Sequence, residues 1–103
     1  MLPVVDPTEI VPLEFDFSAL LKDYPSATIT GQRIGISVVS GVDDDPASRL
    51  YGAPTVSDLV VTQWFKPISA GVKYRITCNV DVSGTNYRPT IAIGLTVASR
   101  MDA

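Results

Sequence analysis

Histidine is absent from the 103 residues. With it goes the side chain most often used as a general base near neutral pH and most often found on a metal. Cysteine occurs once, as Cys78, so no internal disulfide can form. A lone cysteine fits a chain folded in a reducing cytosol better than a disulfide-stapled secreted domain. Charge is sparse: eight Lys and Arg face eleven Asp and Glu, a net of −3 with no basic cluster. Counterion release, which drives binding to phosphate backbones, has no footing here, and nucleic acid is not an expected partner. No run approaches the roughly 20 apolar residues of a membrane-spanning helix, and Met1 is followed by Leu2, Pro3 and Val4 without a basic leader. The expectation is a soluble chain that is made in the cytoplasm and neither exported nor held in a membrane.

What the chain does have is Val, Ile and Thr throughout, which favours pleated, half-buried surfaces. Its length suits one domain. Residues 1–12 (MLPVVDPTEIVP) carry prolines at 3, 7 and 12, which fix φ and withhold an N–H, so the segment reads as an extended arm. Its apolar members Leu2, Val4, Val5, Ile10 and Val11 are too many for a solvated tail and are expected to lie on a partner or on the domain itself. The domain proper then spans 13–103. LEFDF alternates as a first strand, and 18–23 suggests one helical turn capped by Ser18 with Leu20 and Leu21 inward. Residues 27–40 read as a bent strand or hairpin, with Gly31 and Gly35 marking a bulge or close backbone approach. Residues 41–55, rich in Gly, Pro, Asp and Ser, read as a surface loop. A strand follows over 56–66, containing Val60, Thr62 and Trp64. In KYRITCNVDV, Tyr74, Ile76, Cys78, Val80 and Val82 share the core face, and a C-terminal hairpin ends with Ile91, Ile93, Leu95 and Val97. Six or seven short strands with turns between them are the profile of an antiparallel β-sandwich.

Candidate chemistry is thin. Asp43, Asp44 and Asp45 invite a calcium reading, but consecutive side chains diverge and no glutamate closes the loop, so a solvated loop is the stronger reading. Trp64 could stack on a ligand, yet a single tryptophan on a central strand reads better as a core filler. Tyr74, three residues after Gly71 at a strand start, resembles the tyrosine corner of immunoglobulin-like domains, where the hydroxyl bonds back to the preceding connection. Cys78 lies on the apolar face with no histidine to activate it. Glu14, Asp16 and other carboxylates exist, but nothing brackets two of them in a cleft. No metal, cofactor or catalytic site is expected, and the chain reads as non-enzymatic.

The second half resembles the small fibre-tail adaptor proteins of tailed bacteriophages. The resemblance rests on VTQW (61–64), AGVKY (70–74), ITC (76–78), the turn at Ser83 and Gly84, and the hairpin strand over 88–97 with Arg88. It covers about residues 56–98. Phe65, Lys66 and Pro67 stand where that family has a glycine-rich turn, and NYRP (86–89) where it has an acidic, polar segment. The resemblance implies an immunoglobulin-like β-sandwich in the virion. Such a protein is present in several copies, in a symmetric ring around the neck or tail, and joins tail and fibre components. Two other readings stand beside it. One is a capsid decoration protein, and the other is a glycan- or receptor-binding module using Tyr24, Tyr51 and Tyr87.

Overall fold

Strict alternation of apolar and polar residues builds the larger of two sheets. The computed structural model describes residues 4–68 and 70–98. The longest ladder joins β3 (Ile29–Ser40) and β6 (Val72–Val82), antiparallel, with Ile34 opposite Cys78 and Ile36 opposite Ile76. On the other side of β6 lies β7 (Thr90–Val97), also antiparallel, and β7 pairs in parallel with the two-residue β1 (Val4–Val5). The order is β1-β7-β6-β3. Every second residue of β6 is buried, from Val72 through Tyr74, Ile76, Cys78 and Val80 to Val82, because a strand's side chains alternate between the two faces.

The second sheet is antiparallel and has the order β2-β5-β4, formed by β2 (Val11–Asp16), β5 (Val60–Phe65) and β4 (Leu50–Ser57). Its Leu13, Phe15, Val61 and Phe65 meet the first sheet's apolar face in one core, which is what holds two such layers together. Phe65 sits edge-on to Tyr74 across that interface, ring centroids 5.3 Å apart. The all-β, two-sheet architecture read from the sequence is therefore present.

Several local expectations are corrected. The stretch 41–55 is not one loop: a 3₁₀ turn (Pro46–Arg49) leads directly into β4. The strand expected over 56–66 is two strands joined by a reversal at Asp58 and Leu59, where Asp58 adopts a left-handed φ of 56°. Within β5 the inward residues are Val61, Gln63 and Phe65, so Trp64 is not a core filler; it is 42% exposed on the outer face. The helical turn after β2 is real, since the Leu21 N–H bonds the Phe17 carbonyl. Its cap, however, is Asp16, which accepts from the Ser18 N–H, and Leu20 points outward while Leu21 is buried. Residues 27–40 contain a single strand with register shifts near each end. Gly31 and Gly35 mark close approach: a Cβ there would meet an Asp81 carboxylate oxygen at 3.0 Å and the Thr77 hydroxyl at 2.9 Å.

Candidate functional site

A largely buried polar cluster joins the loop after β3 to the start of β6. Gly41 turns the chain with φ +89°, and a Cβ there would come within 2.6 Å of the Gly71 carbonyl oxygen. The close approach needs glycine. It brings Asp43 over Tyr74, whose hydroxyl donates to Asp43 Oδ2 at 2.5 Å. Asp43 also accepts from the Asp45 N–H, and the guanidinium of the buried Arg49 lies 3.5 Å away. The Tyr74 bond, then the Asp45 N–H, then the Arg49 charge hold the Asp43 carboxyl below the usual carboxylate range, while burial and Asp43 together raise the Tyr74 phenol. The Tyr74 hydroxyl reaches Asp43 rather than the connection immediately before it, where a tyrosine corner would bond. Gly71, with φ +91°, starts β6 by donating its N–H to the Val97 carbonyl.

This cluster clamps the loop after β3 to the start of β6. Of the three acids, Asp45 is spent on the Ser48 hydroxyl and Asp43 on Tyr74 and Arg49. Among the described residues no group of three potential metal ligands converges. Cys78 is fully buried and free, and burial pushes its thiol up to about 11, away from the thiolate that nucleophilic chemistry needs. Arg49 and Gln63 are functional parts of the frame that sequence reading missed. Both are polar residues at interior positions, and no periodic signal announces such residues.

The outer faces of the two sheets differ in chemistry. On β2-β5-β4, Pro12, Trp64 and Tyr51 stand opposite one another in a row, with Glu14 and Asp16 further along β2 on the same face. Lys66 lies over the Tyr51 ring. On β1-β7-β6-β3, Arg33 grips Asp81 through two bonds of 3.0 and 2.9 Å, and Arg88 lies 3.2 Å from the same carboxylate. Asn79 links this network to the Arg88 carbonyl and the Thr90 hydroxyl. Beyond it, Lys73 and Arg75 border a shallow apolar concavity of about 280 Å³ floored by Ala92 and Gly94 and walled by Val39.

The residues assigned to the arm separate. Val5 is 4% exposed in this chain's own core, and Val11 is half-buried against that core at the start of β2. The strand start at Val11 carries Val11 and Pro12, the last two residues of the expected arm, into the sandwich. Ile10 is 43% exposed. Val4 pairs through its backbone with Thr96, and Leu2 lies outside the described residues. No family model, no curated protein and no solved structure matches this chain.

Proposed function

We propose that this chain is a non-enzymatic structural protein of a tailed-phage virion, an adaptor at the neck or tail that joins tail and fibre components in several copies. The observation that carries the reading is the outward row of Pro12, Trp64 and Tyr51. An aromatic row on the outer face of a sheet suits contact with another protein better than turnover of a small substrate. The resemblance over residues 56–98 falls on β5, β6 and β7, the strands that frame both outer faces.

The strand order supports an immunoglobulin-like reading of the fold, in line with the same proposal. In chain order after β1, the strands β2-β5-β4 and β3-β6-β7 correspond to the B-E-D and C-F-G sheets of that fold, with Tyr74 near the start of the F position. The N-terminal arm, in this reading, is tacked to the sandwich by β1 and returns through the Asp6–Glu9 turn, with Ile10 an exposed apolar residue among those described.

A glycan-binding reading has one local observation in its favour. Tyr24 and Tyr87 are both exposed with ring centroids 5.9 Å apart, and Tyr24 borders a cleft with Pro25 and Ser83. A glycan array without hits removes it. The adaptor reading is tested by counting copies of the chain per purified particle, by quantitative mass spectrometry against the major capsid protein. A small number matching neck or tail symmetry is expected. A capsid-scale number would replace the adaptor with a decoration protein, and absence from particles would overturn the virion reading.

A further inference from the structure

The two outer faces carry complementary chemistry, and the complementarity is specific to position. The β1-β7-β6-β3 face bears Arg33, Lys73, Arg75 and Arg88 against one acid, Asp81, which already neutralises part of the Arg33 and Arg88 charge. The β2-β5-β4 face bears Glu14 and Asp16 beside the aromatic row, with its nearest cation, Lys66, engaged on Tyr51. The first face has a hollow, and the second has an outward aromatic row in which Trp64 is 42% exposed.

The hollow is built by small residues and a bulge. Ala92 and Gly94 lie opposite Thr77 and Arg75, leaving the middle of the sheet low. Val38 pairs with Tyr74 and Ser40 with Lys73, so Val39 is the extra residue of a bulge and stands out at 64% exposure as one wall. Lys73 and Arg75 also line the hollow, and side chains of this kind cover apolar surface with their alkyl stems while keeping the charged head in water. At about 280 Å³ the hollow is smaller than most small-molecule pockets, which run from roughly 300 to 1,000 Å³, and suits one large side chain. Trp64 is such a side chain. Glu14 lies two residues beyond Pro12, its cross-strand partner, on the same face, so an indole seated in the hollow brings a carboxylate toward the cationic rim.

The geometry points to head-to-tail self-association, in which Trp64 on the β2-β5-β4 face of one copy seats between Val39, Arg75 and Gly94 on the β1-β7-β6-β3 face of the next. The contact is heterologous, because the two surfaces are different, so each copy keeps one donor face and one acceptor face and the series closes into a ring or runs on. This deepens the virion reading, whose several copies would use such a contact, by naming the faces that meet, while the contact itself is argued from the two faces and is tested apart from that reading.

The test uses the full chain in sedimentation velocity over a wide concentration range, at low and at high salt. The wild type is expected to form concentration-dependent oligomers that weaken with salt. Trp64→Ala and Arg75→Glu, both at exposed positions, should each weaken association by about tenfold or more, with unchanged far-UV circular dichroism. Mixing the two is decisive. The first variant keeps a sound acceptor face and the second a sound donor face, so together they should give a 1:1 dimer that grows no further. Pairing the Arg75→Glu acceptor with a Glu14→Arg donor should restore part of the loss. A wild type that stays monomeric throughout would overturn the proposal, as would oligomers indifferent to both substitutions or variants that fail to dimerise when mixed. Particle copy number, measured separately, decides the virion reading on its own.

Discussion

The two sheets reach the same core by different means. In β1-β7-β6-β3 the backbone does most of the ordering: β6 is paired along almost its whole length on both sides, and its inward residues alternate without a break. In β2-β5-β4 the ladder is interrupted. Between Tyr51 and Thr55 the β4 strand loses register with β5, leaving Gly52, Ala53 and Pro54 out of the pairing. A side chain fills that gap. The buried Gln63 amide donates to the Gly52 carbonyl at 3.1 Å, with the Tyr51 and Trp64 carbonyls at 3.4 and 2.9 Å. One sheet is specified by strand period and the other by particular polar contacts, so substitutions should fall on them unequally.

The largest effect tests what the sheets share. Phe65 is fully buried at the edge of β5 and packs on Tyr74 of the opposite sheet. Phe65→Ala should lower unfolding free energy by about 3–5 kcal/mol, the range for removing a large buried aromatic, read as a lowered urea midpoint. Ile36→Val, at a half-buried site on the edge strand β3, should cost about 1 kcal/mol or less. Equal losses would mean the core is not concentrated between β5 and β6.

The clamp where the sheets join comes next. Tyr74→Phe removes a hydrogen bond to a charged carboxylate and should cost about 2 kcal/mol. Asp43 supplies the pH signature. Its folded-state pKa lies below its unfolded value, so the stability it contributes is present above about pH 4 and is lost as pH falls through the folded value. The gap between wild type and Asp43→Asn should therefore stay level from neutral pH down to about 5 and narrow below 4. Cys78 acts at the other end. Its thiol is raised to about 11 against roughly 8.5 in an unfolded chain, so stability should fall between those values as pH rises, and Cys78→Ala should flatten that fall.

Within the interrupted sheet, Gln63→Leu keeps the volume but removes the donor, and about 1 kcal/mol should be lost. Hydrogen exchange should quicken around 50–57 while β6 and β7 keep their protection. A change spread evenly over both sheets would contradict the local role of the amide.

The same contrast explains what could be read from the sequence. The β6 strand was legible residue by residue because burial and alternation coincide from Val72 to Val82. The β5 strand was misread by one position because its inward series is Val61, Gln63, Phe65: a glutamine in the middle shifts the apparent apolar face to Val60, Thr62 and Trp64. What makes Gln63 interior is the carbonyls it serves on β4, a tertiary fact that local pattern does not carry. The 41–55 stretch reads whole as a loop because Gly52 and Pro54 interrupt β4, and proline there is tolerated because β4 lies at the sheet edge. Arg49 gave no signal, since its partner Asp43 is met only after the Gly41 turn. The outer faces were half legible: the polar side of β6 was expected, whereas the Val39 bulge and the outward Trp64 follow from register.

The smallest effect is expected where the structure looks most heavily bonded. Arg33, Asp81, Asn79 and Arg88 make a dense network on the outside of the first sheet, and Arg33 holds the Asp81 carboxyl below its usual range. Yet Arg33 is about half exposed, at 51%, where water and salt compete for both charges and long side chains lose freedom by being held. Removing it also leaves Arg88 beside Asp81. Arg33→Ala should therefore shift the urea midpoint less than Phe65→Ala, Tyr74→Phe or Gln63→Leu, and added salt should shrink even that shift. A loss as large as that of Tyr74→Phe would mean β3 is held to β6 by surface charge as much as by its ladder, and the contrast between a backbone-ordered sheet and a side-chain-ordered one would no longer hold.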